Sequence, residues 1–235
     1  LTLPVTLKRP PRVAGRDAER AAVRLALADG MAVWIEGEAG MGKTRLLGAV
    51  LQEWGASGGA EATTPDAASR HAADQGLAPQ GVLMGAGRPG DAGSPYATLG
   101  RLVMPLAGRT RPRLSASAQH ALRCLDPHDA DPALPAITHH AMAAAVAELI
   151  ERSSVDAVVL DDLHFADEAT LELLAALMSR EPPEQSAPGH TTTRWLFATR
   201  PAEVPASGRA MRAALTELQR LVVVTLSPLG AGDVA

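Results

Sequence analysis

A single cysteine, Cys124, stands in a chain of 235 residues, which excludes an internal disulfide framework. As a small apolar side chain it is expected in the interior rather than as a reactive thiol. No apolar run approaches the ~20 residues that a membrane-crossing helix needs, and the opening residues lack a secretory pattern. Positive charge is not in excess either. The 22 Lys and Arg against 26 Asp and Glu leave a formal net charge of −4, with a pI near 6.0. That balance provides no electrostatic footprint for a nucleic-acid backbone, so no direct nucleic-acid contact by this segment is expected. No Cys or acidic partner stands at zinc-site spacing from His139, His140 or His164. Adjacent helical residues point ~100° apart, so His139 and His140 do not readily share one ion. His164 is expected to pack or hydrogen-bond behind the strand end that precedes it. The chain has no internal repeat, and the cytoplasm is its expected compartment.

The first residue is Leu1 rather than Met, and the opening is punctuated by Pro4, Pro10 and Pro11. With the basic cluster Lys8-Arg9-Pro10-Pro11-Arg12, this reads as a linker over 1–11 from an upstream domain, with one folded domain over 12–235. Residues 16–29 read as a helix ahead of a first strand, and 81–87 contain a second, short strand. Residues 96–107, 115–125 and 138–153 are helical candidates, the last with Met142, Val146, Leu149 and Ile150 on one face. Asp167 can cap a further helix whose buried stripe is Leu171, Leu174, Ala175 and Met178. Residues 221–226 read as the last strand. The stretch 55–80, rich in Ala, Gly and Ser without a clear period, reads as a mobile insertion, and 181–192 as a loop. Five strands alternating with helices predict an α/β fold whose mostly parallel sheet is joined by right-handed crossovers.

The residues that carry chemistry begin with Gly37-Glu38-Ala39-Gly40-Met41-Gly42-Lys43-Thr44, which fits G-x-x-x-x-G-K-[ST]. The apolar run Ala32, Val33, Trp34, Ile35 precedes it, and Leu46, Leu47, Val50, Leu51 and Trp54 share one helical face after it. A strand, a glycine loop and a helix are the context that a phosphate-binding loop needs. Its glycines let successive N–H groups converge on a polyphosphate at the positive end of the helix. Lys43 can reach the β and γ phosphates, Thr44 can hold Mg²⁺, and the eight loop residues with Arg45 are the candidate nucleotide contacts.

A second group lies at the end of the apolar run Ala157-Val158-Val159-Leu160, which closes on Asp161-Asp162. Open α/β sheets place ligands at the carboxyl ends of their strands. There Asp161 could hold the water shell of Mg²⁺ while Asp162 orients or deprotonates an attacking water. The plainer alternative is a pair of turn-capping aspartates. A third strand-like run, Trp195-Leu196-Phe197-Ala198, ends in Thr199-Arg200. Arg200 could contact the γ phosphate and report its presence, because guanidinium binds phosphate through charge-assisted hydrogen bonds. The alternative is a solvated surface arginine.

Together the loop, the segment Val159-Leu160-Asp161-Asp162-Leu163-His164-Phe165-Ala166-Asp167 and the Phe197-Ala198-Thr199-Arg200 edge resemble the STAND branch of AAA-type P-loop ATPases. More narrowly, they are similar to the ATPase module of large bacterial transcriptional activators with LuxR-type or BTAD-type DNA-binding regions. Val13-Ala14-Gly15-Arg16-Asp17 resembles the opening motif of that family, which implies that Val13 and Arg16 line an adenine pocket. Gly87-Arg88-Pro89-Gly90-Asp91, with Pro95-Tyr96, resembles its segment after the second strand. The likeness runs from about Arg12 to the end of the chain. It implies a three-layer α/β/α P-loop fold with five strands, in which the Trp195 strand lies between the acid strand and the strand of the phosphate loop.

This chain departs from the family at several points. Asp162 stands where motor-type AAA proteins use Glu, so a shorter carboxylate must reach the water and slow hydrolysis is expected. Phe165 replaces a Trp. The chain stops at Ala235, just after Leu226-Ser227-Pro228-Leu229, where relatives continue into a helical lid and a winged-helix domain. The expected function is an ATP-binding regulatory switch with slow Mg²⁺-dependent hydrolysis to ADP, part of a signal-responsive transcriptional regulator. Self-association and contacts with flanking domains go with that reading. The competing readings are an active AAA motor, a small-molecule kinase and a nucleotide-binding module without turnover.

Overall fold

The computed structural model describes residues 15–57, 81–110, 113–125, 137–179 and 193–229. The linker expected over 1–11, Val13, most of the insertion expected over 55–80, and the whole loop at 181–192 lie outside the described residues, as does the side chain of Trp54.

Runs of Val, Ile, Leu and Ala without polar interruption can be covered on both faces, and these runs become the strands. They are β1 (Ala32–Glu36), β2 (Val82–Ala86), β3 (Ala157–Asp161), β4 (Arg194–Thr199) and β5 (Leu221–Thr225). Their order in the sheet is β2-β3-β4-β1-β5, and every neighbouring pair is parallel. β4 therefore lies between the acid strand and the loop strand, as the resemblance implies. In register, Glu36 pairs with Thr199 and Ala86 with Asp161, so the chemistry-bearing ends of β1, β3 and β4 come out on one edge.

Seven α-helices cover the sheet among the described residues. They are α1 (Asp17–Ala28), α2 (Lys43–Ser57), α3 (Ala97–Thr110), α4 (Ala116–Arg123), α5 (His139–Arg152), α6 (Glu168–Ser179) and α7 (Ala206–Glu217). Ser115 and Thr138 cap α4 and α5 by accepting hydrogen bonds from Ala118 N–H and Ala141 N–H, each at 3.2 Å. The handedness of crossovers assigns helices to faces. From β1 the chain crosses to the far edge at β2, then returns through β3 and β4 to β5. The direction reverses, so α2 lies on one face and α3 to α7 on the other.

The cores agree with this division. Val23 and Leu27 of α1 and Leu46, Leu47 and Val50 of α2 pack with Val33, Ile35, Val159, Leu196 and Ala198 of the sheet. On the opposite face Trp34, Leu160 and Phe197 meet Leu171, Leu174, Met211 and Leu215 of α6 and α7. The third cluster joins α3, α4 and α5 to Leu83 and Val158. Each large side chain so buried contributes about 1.5–3 kcal/mol. Trp34 and Phe197 add a tilted ring contact at 5.9 Å and 54°.

One sequence expectation is corrected. Cys124 is exposed rather than interior. It occupies the cap position after α4, where Ala121, Leu122 and Leu125 take the inward places and its thiol lies 3.8 Å from His120 O.

Candidate functional site

The phosphate loop follows directly from β1. Gly40 and Gly42 hold positive φ angles of 81° and 87°, a region open to glycine at little cost. A Cβ on Gly37 would lie 3.0 Å from Leu226 O, so the loop's first glycine lets β1 exit against the segment after β5. Helix α2 begins at Lys43, which brings its positive end to the loop. The buried Lys43 ammonium donates to Gly37 O at 2.8 Å and Glu38 O at 3.0 Å. An ammonium has three N–H groups, which leaves one for a ligand.

Across the sheet edge, Thr44 Oγ1 donates to Asp161 Oδ2 at 2.6 Å, and Asp162 N–H donates to Asp161 Oδ1 at 2.8 Å. Asp161 is 5 % exposed. Burial raises its carboxyl above the ordinary carboxylate range, against the two hydrogen bonds that act to lower it. The neighbouring acid differs in every respect. Asp162 takes a left-handed backbone, φ 46°, and its side chain is 42 % exposed. That turn is enforced from the adjacent strand, because Gly87 N–H donates to Asp161 O at 3.0 Å. A Cβ on Gly87 would stand 2.5 Å from Asp162 O and 2.9 Å from Ala166 N.

Arg200 leaves the end of β4 and donates through Nη1 to Glu203 Oε1 at 2.9 Å. That hydrogen bond raises the arginine's pKa and holds Glu203 below its usual range. Beneath them lies His164, whose ring is wholly buried and meets Phe165 in a tilted contact at 4.2 Å and 44°. Its Nε2 is 3.6 Å from Glu203 and 3.9 Å from Asp162, and neither ring nitrogen has a hydrogen-bond partner among the described residues. Burial pushes the imidazole below its ordinary pKa, against the attraction of the two carboxylates. Of the two options expected for His164, packing is the one observed.

These groups enclose a cavity of about 340 Å³ lined by Gly40, Gly42, Lys43, Thr44, Arg45, Asp162 and Arg200. Asp161 stands behind Thr44 rather than on the wall. Gly37, Glu38, Ala39 and Met41 shape the loop without lining it, and the Arg16 guanidinium is engaged with Glu19, Met41 O and Ser227 O. The donor set suits a nucleotide with Mg²⁺. The loop is glycine-hinged, an ammonium is poised at its centre, and the hard oxygen donors Thr44 and Asp161 stand side by side.

Sequence reasoning missed several supports. Asp167, expected only as a helix cap, accepts from Tyr96 N–H at 2.7 Å, Thr170 N–H at 2.9 Å, Thr98 N–H at 3.0 Å and Thr170 Oγ1 at 2.7 Å. One buried carboxylate thereby pins the starts of both α3 and α6. Asp91 accepts from Arg88 N–H and Thr98 Oγ1, each at 2.8 Å, and pairs with Arg101. Burial alone would raise its carboxyl, but these partners hold it below the usual range. Glu36, at the root of the loop, accepts from Arg212 at 2.7 Å and Thr225 Oγ1 at 3.1 Å. Glu203 was detectable as a carboxylate three residues from Arg200; apart from the local Arg88–Asp91 and Asp167–Thr170 bonds, the others join partners 7 to 189 residues apart.

A wholly parallel five-stranded sheet with a glycine loop feeding α2 and an acid strand one strand removed from the loop strand defines a P-loop NTPase. A family model for the AAA ATPase domain matches residues 12–188, about three quarters of the chain, and the chain belongs to that family. It is thus a nucleotide-binding module of the AAA type. The match ends before β4, so Arg200 rests on geometry. No curated protein matches the chain. No described helix is long and apolar enough to cross a membrane.

Proposed function

We propose that this chain is an ATP-binding switch domain that hydrolyses ATP slowly and works within a larger, signal-responsive transcriptional regulator. The observation that carries the catalytic part is the convergence of Lys43, Thr44, Asp162 and Arg200 on one cavity, with Asp161 bonded to Thr44. Lys43 would turn its free N–H to the β and γ phosphates. Thr44 and Asp161 are the residues that would hold Mg²⁺, whose role is to neutralise charge on the phosphate oxygens. Asp162, exposed and one residue along, orients an attacking water and accepts its proton as the new O–P bond forms and the β–γ bridging bond breaks.

Arg200 supplies the switch. With Glu203 as its partner it forms one arrangement; with a γ phosphate it would form another. Two arrangements with different contacts are what allow a nucleotide to bias conformation. The shorter Asp162 favours slow turnover, a property of switches rather than motors. The placement within a transcriptional regulator rests on the resemblance of the motifs alone.

Calorimetry with ATP and ADP, followed by single-turnover hydrolysis with and without Mg²⁺, tests the reading. Saturation at about a thousandfold over the dissociation constant should stabilise the fold by roughly 4 kcal/mol. A melting temperature unmoved by either nucleotide would refute it.

A further inference from the structure

Arg16 immediately precedes α1, yet its guanidinium serves two distant segments. Nη2 donates to Met41 O at 3.3 Å, inside the phosphate loop, and to Ser227 O at 2.6 Å, beyond β5. Nη1 donates to Glu19 Oε1 at 2.7 Å. The side chain is 7 % exposed, and a buried guanidinium is tolerated only where its donors are met. Here two carbonyls and a carboxylate meet them.

The Met41 carbonyl belongs to the same peptide plane as the Gly42 N–H. In a trans peptide the two point in opposite directions, and the described backbone contains no cis bond. The arginine that holds Met41 O therefore turns the Gly42 N–H away from itself, and Gly42 is on the cavity wall while Arg16 and Met41 are not. This peptide is also the one most in need of an anchor. Glycines flank Met41 on both sides, each at positive φ, and their lack of Cβ leaves the plane free to rotate at little steric cost.

We infer that Arg16 is a positioning residue for polyphosphate, fixing the Met41–Gly42 peptide so that the Gly42 N–H is aimed at the phosphate site before a ligand arrives. It acts through the backbone donor rather than on the adenine base. The inference rests on the nucleotide-binding reading and deepens it by naming which ligand moiety Arg16 governs. The Ser227 anchor adds that the same guanidinium ties the loop to the chain leaving β5, so the donor and that exit are held together.

The test separates phosphate from base. Calorimetry in Mg²⁺-free buffer would titrate the chain, Arg16→Lys and Arg16→Met with inorganic tripolyphosphate, ADP and ATP. Loss of one preset donor to a charged ligand is expected to weaken all three by a similar factor, about tenfold or more in Arg16→Met. Arg16→Lys, which keeps the charge but offers one nitrogen in place of the two that serve the carbonyls and Glu19, should lie between. Unchanged tripolyphosphate affinity with weakened ATP would overturn the inference in favour of a base contact, and unchanged affinity for all three would overturn it outright.

Because Arg16→Met could lose its fold, an amide NMR titration of the unsubstituted chain provides a second arm. Tripolyphosphate should shift the Gly42 amide resonance among the most strongly in the loop. A Gly42 amide that stays put while its neighbours move would overturn the inference without any variant. Failure of the unsubstituted chain to bind tripolyphosphate, ADP or ATP would instead sink the nucleotide-binding reading itself.

Discussion

The cavity has two walls built on different terms. On the wall of Lys43 and Thr44, with Asp161 behind it, the polar groups are bonded: the ammonium holds two loop carbonyls and the threonine hydroxyl holds the inner carboxylate. On the wall of Asp162 and Arg200, with Glu203 paired to the arginine, the side chains are 31–45 % exposed, and they overlie a histidine whose two ring nitrogens have no hydrogen-bond partner among the described residues. Satisfied, buried donors make a rigid receptor, while exposed ion pairs contribute little and exchange partners readily. In the proposed function the difference assigns the adjacent residues of one acidic pair, Asp161 and Asp162, to separate tasks: retention of ligand and response to it.

Substitutions can break that division. Lys43→Ala should have the largest effect, lowering nucleotide affinity at least about a hundredfold by calorimetry, since it removes a charge-assisted phosphate contact and strands two carbonyls. Asp162→Asn should leave affinity within a few-fold and slow single-turnover hydrolysis by about a hundredfold, the usual range for a lost general base. Equal loss of binding in both variants would erase the contrast between the walls. Arg200→Ala should weaken ATP by about tenfold and leave ADP unchanged, because only ATP offers a γ phosphate. Parallel loss for both nucleotides would move Arg200 out of the switching role.

The smallest effect concerns pH. His164 is held below its ordinary pKa by burial, so the unfolded chain takes up a proton more readily than the folded one. Its contribution to stability is therefore intact above about pH 6.5 and declines as pH falls below it, by at most about 1.4 kcal/mol per pH unit. Thermal melts between pH 7 and 5 should show a shallower decline in His164→Leu than in the parent chain. Identical slopes would mean that the buried ring is not what sets the acid sensitivity.

What was legible in the amino-acid order was whatever local pattern encodes. The phosphate loop is eight consecutive residues, so Gly37 to Thr44 could be read directly. The continuous apolar runs behind Asp161 and Arg200 marked their strand ends in the same way. The flanking helices followed from a periodic apolar stripe, and Met142, Val146 and Leu149 are indeed buried, with Ile150 at the margin. Long-range polar pairing carries no such signature. Nothing near Asp167 announces that it will reach Tyr96 and Thr98, about 70 positions earlier, and nothing beside Glu36 points to Arg212. Cys124 shows the same limit from the other side: residue type favoured the interior, and one position on a helix end decided otherwise. Arg16 is the sharpest case, because the resemblance spoke only of an adenine pocket, and beside the local Glu19 two of its partners are backbone oxygens 25 and 211 residues away.

The bare backbone at Gly87 has a mechanical consequence. With only a hydrogen between β2's exit and the Asp162–Ala166 turn, and with Asp91 and Asp167 fastening α3 to the same neighbourhood, the outer flank of the sheet and the water-side carboxylate are geared together. At Gly87 itself the contact is main chain against main chain, so a displacement of β2's exit meets the Asp162 turn with no pliable side chain between to absorb it.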